Sequence, residues 1–395
     1  MPAEVDTIYL DYAATTPVDD AVVAAMMRCL GRDGIYGNPA SLMHEPGRRA
    51  AAAVVAAREQ VASLVGAAPR EIVFTSGATE ADNLAILGAA RYFRDRGRHL
   101  VTSRIEHKAV LDAVARLERE GYEVTRVEPD PAGRIDPAAV SAALRDDTLL
   151  VSIMWVNNEI GVVNDIEAIG RACRERGVLF HVDAAQAVGK LPMDLARLPV
   201  DLLALTAHKF YGPKGVGALY IADRPGVQVE PLLAGGGQER GLRPGTLPVH
   251  QIVGLGEAAA IAGAALSAER ERLAALRARL EAGLQGVPGV LINGAGAPRI
   301  PGIVSVTVSG VEGESLFAAL SPLAVASGSA CNTTSGEPSY VLRALGRDDR
   351  LAASSVRFSL GRYTTAEEVE RAVEIFGDAV GHLRRIAAPL DGRVA

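Results

Sequence analysis

Cysteine is scarce in this chain of 395 residues, aromatic side chains are few, and there is no excess of basic charge. The three cysteines, Cys29, Cys173 and Cys331, are an odd number without CxxC spacing, so they spell neither a disulfide framework nor a zinc site. Aromatic residues are 4% of the chain, which leaves no platform for stacking single-stranded bases, and the net charge of −6 supplies no basic field. Both absences argue against direct nucleic-acid binding. The N-terminal MPAEVDTIYLDYAATTP has no basic region followed by an apolar run, so no secretory signal is expected. The most apolar tract, around Ala258 to Ala268, is short, rich in alanine and preceded by Glu257, which does not suit a bilayer span. The expectation is a soluble, cytoplasmic protein that contacts no membrane.

What is present is an alternation. After a strand-like IYLDYA and a helical AVVAAMMRCLG, which would bury Cys29, GIYGNPASLMHEPG reads as a loop before an Ala-rich helix. Strands EIVFT, HLVTS, EVTRV, TLLVSIMWV, VLFHVD and LALT then alternate with helical segments, and GVGALYIA follows as a further strand. Such alternation builds crossover units on a mainly parallel sheet covered on both faces, an α/β fold. A long helix from about His250 to Gly286 ends this rhythm, and the remainder reads as a smaller α+β unit.

Ligands on parallel sheets collect at the carboxyl ends of the strands. Lys209 stands at such an end, in LALTAHKFYGPKGVG, where an amine suited to a Schiff base and a solvated strand-end lysine are the two readings. Ser76-Gly77-Ala78-Thr79-Glu80 joins a strand to a helix start, which makes either an anion site or a plain helix cap. Asp183 closes a buried strand and needs a cationic or hydrogen-bonding partner, a protonated pyridine nitrogen or the N–H groups of the next turn. Gln186, Asn157 and Asn158 follow strands in the same way, and His107 opens a helix from which it could lie on a planar ring. Cys331 sits in the small polar stretch SGSACNTTSG, with the access a nucleophile needs, whereas Cys29 and Cys173 lie on apolar helix faces. Arg357, flanked by apolar residues in SSVRFSLG, points at an anion, either a substrate carboxylate or an internal acid.

Taken in order, LDYAATTPVD, YGNPAS, EIVFTSGATEADNLAI, EHKAVLD, VSIMWVNNEIGV, HVDAAQAVGKLPMD, AHKFYGPKGVGALY, GGGQERGLRPGTLPVHQIVG, SGSAC, EPSYVLRALG and VRFSLGR resemble the pyridoxal-phosphate cysteine desulfurases of class V aminotransferase type, in particular those of bacterial iron–sulfur-cluster assembly. Each motif alone is weak; the ordered set, from about Tyr9 to Thr365, is specific.

The resemblance implies an aminotransferase-like fold, with a large domain over 16–260 and a small domain made of 1–15 and 261–395 that carries a mobile cysteine loop at about 327–336. It implies a homodimer that binds pyridoxal 5'-phosphate, with Lys209 holding the aldehyde, Asp183 on the pyridine nitrogen and His107 stacked on the ring. Gln186 and Asn158 would contact ring substituents and substrate. Ala78, Thr79, Thr206 and His208 would cup the phosphate, completed by Thr246 of the second subunit. Arg357 would bind the carboxylate of L-cysteine. Cys331 would take the sulfur as a persulfide, leaving L-alanine, and pass it to an iron–sulfur scaffold or to a tRNA-thiolation or sulfur-carrier protein. A selenocysteine lyase, or another C–S lyase of the same cofactor, is the alternative.

Departures from the family pattern are Trp155, where a histidine is usual, Thr206 and Pro244, each in place of a serine, and the NTTSGEPSY that follows SGSAC. Trp155 is expected to reshape the substrate side of the pocket. The chain also stops soon after LRRI, without the long tail that contributes to scaffold docking in cluster-assembly members, so the acceptor is less determined than the chemistry.

Overall fold

Strands that are apolar on both faces can form only inside a sheet covered twice, and such strands dominate the first half of the chain. The computed structural model describes residues 7–327 and 337–387. In chain order the first elements are β1 (Ile8–Tyr9), α1 (Asp20–Met27), α2 (Glu45–Val65), β2 (Ile72–Thr75), α3 (Ala78–Tyr92), β3 (His99–Ser103), α4 (Lys108–Arg119), β4 (Glu123–Val127), α5 (Pro137–Ala143), β5 (Thr148–Ser152), α6 (Ile166–Glu175), β6 (Leu179–Asp183), β7 (Leu202–Thr206) and β8 (Gly217–Ile221). Among the described residues these strands make a seven-stranded sheet in the order β2-β8-β7-β6-β5-β3-β4. The run from β7 to β4 is parallel, and β8 lies antiparallel between β7 and β2. Because β8 opposes both neighbours, β2 points the same way as β7. The carboxyl ends of β2, β3, β5, β6 and β7 therefore open on one edge.

Beyond the sheet come α7 (Val249–Gln285), β9 (Val290–Asn293), β10 (Ile303–Val308), α8 (Gly313–Ala319), β11 (Leu323–Ala324), β12 (Ala326–Ser327), α9 (Tyr340–Ala344), α10 (Asp349–Ala353), β13 (Ser355–Ser359) and α11 (Ala366–Ala387). β12, β13, β10 and β9 form an antiparallel sheet, and β1 pairs with β11. The α/β expectation holds, with a mainly parallel sheet and a smaller antiparallel one.

Helix α7 joins two cores. Ile252, Leu255, Ala258 and Ala262 pack with the large sheet's core, whereas Leu276, Leu280 and Leu284 pack with Val304, Val306, Phe358 and Phe376. Each such leucine or isoleucine contributes about 1.5–3 kcal/mol by leaving water. By length and composition alone α7 is apolar enough to cross a bilayer, unlike the short Ala258–Ala268 tract read from the sequence. It packs instead against α1, α2 and α11.

Local differences from the sequence reading have identifiable causes. The segment read as a loop up to Gly47 gives its last residues to α2, because His44 caps the helix through Nδ1, which accepts from the Gly47 N–H at 3.2 Å, and Pro46 fits the first turn. Helix α1 ends at Met27, and Cys29 is buried in the turn that follows. Strand β9 and helix α10 were not apparent in the sequence.

Candidate active site

The strand ends converge on one open cleft of about 560 Å³. Ser76 to Glu80 reach it from β2, His107 from β3, Met154 and Asn158 from β5, Asp183 and Gln186 from β6, and Thr206, His208 and Lys209 from β7. Ala13, Ala14 and Thr15, which follow β1, and Arg357 of β13 close the far wall. Of the residues singled out in the sequence, Ala78, Thr79, His107, Asn158, Asp183, Gln186, Thr206, His208, Lys209 and Arg357 all line this cleft. Thr246 does not; it lines a separate pocket with Phe74, Thr75 and Arg243. Cys331 lies outside the described residues. Of the described chain flanking that segment, Ala326 pairs with the cleft residue Arg357, and the Ser339 hydroxyl donates to the carboxyl group of Glu159, the residue after Asn158, at 2.5 Å.

Lys209 closes a 3-10 turn, Ala207–Lys209, and its Nζ donates to the carbonyls of Ala13 at 2.5 Å and Ala14 at 2.8 Å. Asp183 is buried, and its Oδ1 accepts from the Ala185 N–H at 2.9 Å, so it caps the next turn while also facing the cleft. The cap expected of Asp183 is present, and the carboxylate also lines the cleft. His107 caps α4: its Nδ1 accepts from the Ala109 N–H at 3.1 Å, which leaves Nε2 as the protonated nitrogen of the neutral ring. Burial, reinforced by Lys209, lowers its pKa against the opposing pull of Asp183. Burial also lowers the His208 pKa to about 4, helped by Lys209, Lys214 and Lys190.

The helix start at Ser76–Thr79 has no side chain capping it. Gly77 holds φ at 152°, a conformation that favours glycine, and places no capping side chain over the first N–H groups of α3. Glu80 folds back instead, accepting from the Ser76 N–H at 2.7 Å and from Arg243 Nε at 2.9 Å. Gly77, Ala78 and Thr79 line the cleft, which sets the uncapped start of α3 and the positive end of its dipole at its edge.

Arg357 is buried. One terminal nitrogen donates to the Asn158 carbonyl at 2.9 Å and the other to Asp11 Oδ1 at 2.8 Å, while Nε has no hydrogen-bond partner among the described residues. The internal acid that the sequence left unnamed is Asp11.

Two sequence readings change. Asn157 is a turn former: its Oδ1 accepts from the Glu159 and Ile160 N–H groups and its Nδ2 donates to the Ile105 carbonyl, away from the cleft. Trp155 packs in the large core, and its neighbours Met154 and Val156 line the cleft while it does not, so the tryptophan does not shape the pocket wall directly. Cys29 and Cys173 are buried, and burial raises both thiol pKa values, that of Cys173 to about 12. Neither is a nucleophile at neutral pH.

Sequence reasoning missed the Ala13 and Ala14 carbonyls, Asp11 and Lys190. The signal was the small-residue run DYAATTP directly after a strand, whose backbone can approach other groups closely.

These residues fit pyridoxal 5'-phosphate. An uncapped helix start faces a cleft of suitable size, a buried carboxylate and an imidazole line it, and a lysine amine stands at its wall. Comparison with known proteins leads to the same place. Residues 8–372 match the family model described as aminotransferase class-V. The chain is 58% identical over 380 residues to the cysteine desulfurase IscS of Pectobacterium atrosepticum, covering 96% of this chain and 94% of that protein. A solved structure titled NifS-like protein is similar with a TM-score of 0.88 and 38% identity, covering 95% of this chain and all of that one. Another, titled SspA in complex with cysteine, has a TM-score of 0.81 at 38% identity, covering 91% of this chain and all of that one. The chain belongs to the class-V aminotransferase family and, within it, to the IscS cysteine desulfurases.

Proposed function

We infer that this chain is a pyridoxal 5'-phosphate-dependent cysteine desulfurase, which takes the sulfur of L-cysteine onto Cys331 and releases L-alanine. The observation that carries this reading is the convergence of Lys209, Asp183 and the start of α3 on one cleft. When bound, the cofactor supplies an aldehyde that condenses with amines and a ring that takes up the electrons left at the substrate Cα. The α3 N–H groups, Thr79, Thr206 and His208 hold the phosphate. Asp183 and His107 hold the ring, and Gln186 and Asn158 its substituents. Arg357 orients the substrate carboxylate, with Asp11 and the Asn158 carbonyl fixing its plane. The Lys209 amine takes the proton from the substrate Cα and returns one. The Cys331 thiolate then attacks the substrate sulfur: an S–S bond forms, the Cβ–S bond breaks, and its electron pair stays with the carbon. The pairing of Ala326 with Arg357, and the bond of Ser339 to Glu159 next to Asn158, support delivery from that segment.

The division into 16–260, and 1–15 with 261–395, is supported by the second core, which joins Leu10 to residues from Leu276 onward, while Ala13, Ile300, Ile303, Val341, Leu342 and Leu345 pack with the large core across that boundary. Homodimerisation is supported by Thr246, which lies off its own chain's cleft, and by the exposed apolar side chains of Leu42, Met43 and Leu233. The acceptor is a sulfur-receiving protein, an iron–sulfur scaffold or a thiolation carrier, and the setting is the cytoplasm.

The purified protein is expected to be yellow, with a band lost in Lys209→Ala. Alanine formation from cysteine with a reductant is expected to disappear in Cys331→Ala while the band stays. Undiminished alanine from Cys331→Ala would instead identify a lyase that needs no protein thiol, such as a selenocysteine lyase.

A further inference from the structure

Gln186 is held from both sides. Its Nε2 donates to the Ala13 carbonyl at 2.8 Å, and its Oε1 accepts from Lys190 Nζ at 2.5 Å. The Ala13 carbonyl can only accept, which turns Nε2 towards it and leaves Oε1 to accept from Lys190 Nζ, so the two neighbours agree on one orientation of the amide. The Ala13 carbonyl also takes Lys209 Nζ at 2.5 Å. A chain of hydrogen bonds therefore runs from Lys190 through Gln186 and Ala13 to Lys209.

The turn that delivers Lys190 is fixed. Gly189 stands at φ 73°, and a Cβ there would meet the Phe210 Cβ at 2.9 Å, so the backbone leaves β6 along one path. Lys209 and Arg357 are the charges that face Lys190 from the cleft side. Tyr12, Tyr211, Glu269 and Arg362 line the cavity on its other side, where Arg362 engages Glu269. Burial first, then Lys209 and Arg357, bring the Lys190 pKa down to about 7.

We propose that Lys190 is a positioning residue: it locks the Gln186 amide so that the side chain presents only N–H to the cleft and links that donor to the Lys209 amine. This deepens the cysteine desulfurase reading and rests on it. A primary amide has two hydrogens. One is on Ala13, and the other is the donor offered to the ring oxygen of the bound cofactor. Lys190 Nζ on Oε1 polarises the amide and strengthens that donor, most strongly in its charged form.

The test compares the cofactor-loaded full chain with Lys190→Met, which keeps the stem, and Lys190→Arg, which keeps a charged donor. Loss of the lock weakens hydrogen bonding to the ring oxygen and removes a nearby positive charge. Both effects raise the pH midpoint of the cofactor absorption band. The expected rise in Lys190→Met is about one pH unit, with cofactor lost on dialysis roughly tenfold faster. The far-UV circular dichroism of that variant should be that of the parent, and Lys190→Arg should restore most of both changes. In a Gln186→Leu background Lys190→Met should shift the midpoint by clearly less than in the parent, because the route through the amide is gone and only the loss of the charge remains. Midpoint and loss rate identical in parent and Lys190→Met would overturn the proposal, as would a shift that persists in full with Gln186→Leu. A parent chain that takes up no cofactor would refute the desulfurase reading itself and this inference with it.

Discussion

Glu106 is fully buried one residue before His107, and it ties two walls of the cleft together. Its Oε1 lies 2.5 Å from the Ser103 hydroxyl, and its Oε2 accepts from the Met154 N–H at 2.8 Å. Burial outweighs these hydrogen bonds and, with Asp183 nearby, raises the carboxyl pKa from 4.5 to about 8. The folded protein therefore keeps Glu106 protonated at pH 7, whereas the unfolded chain ionises it. For an acid raised on folding, the stability is fully present below pH 4.5 and is lost as pH climbs towards 8. At about 1.36 kcal/mol per pH unit, the loss across that window is on the order of 4–5 kcal/mol. Glu106→Gln is nearly isosteric and cannot ionise. It can donate to the Ser103 hydroxyl and accept from the Met154 N–H. The urea midpoints of parent and variant should lie close together at pH 5.5 and separate in favour of the variant by pH 8, by on the order of 1 M. Trp155 is the single tryptophan, adjacent in the chain to Met154, so its fluorescence reports unfolding at the relevant wall. A midpoint difference that stays constant from pH 5.5 to 8.5 would refute the reasoning.

His181 carries the opposite sign. It is buried between Ser152 at 2.8 Å and Asp82 at 3.3 Å, and burial lowers its pKa from 6.5 to about 3, so its contribution is present above pH 6.5 and is lost as pH falls towards 3. His181→Asn, which can still reach Ser152, should be the less stable protein at pH 7 but should lose less on acidification to pH 4; parallel pH profiles from urea melts would sink this account. Arg357→Lys replaces a fixed fork by a point charge, and the KM for cysteine should rise roughly tenfold or more, with the cofactor band retained. An unchanged KM in steady-state assays would remove Arg357 from carboxylate binding.

Some of this site was legible in the chain because the physics is local. A strand that ends in Asp183, or in Thr206 and then Lys209, must release those side chains at the sheet's carboxyl edge whatever else the fold does, and Ser76 to Thr79 start a helix wherever β2 lies. What could not be read depends on contacts between distant segments. Arg357 meets Asp11 across 346 positions, and Gln186 meets the Ala13 carbonyl across 173. No spacing rule announces either. Asn157 and Asn158 show the limit most sharply. They are the same residue type at adjacent positions after the same strand, yet one folds inward to close a turn and the other lines the cleft. Position along a strand end decides which side chains are near a ligand. The backbone's own unsatisfied N–H groups then decide which polar side chains are kept for structure, and the ligand gets the rest. Lys190 inverts the usual reading for the same reason: a lysine after GlnAlaValGly looks like a solvated loop residue, but Gly189 turns it back beneath Gln186, where its charge acts on the cleft through an amide rather than by touching anything in it.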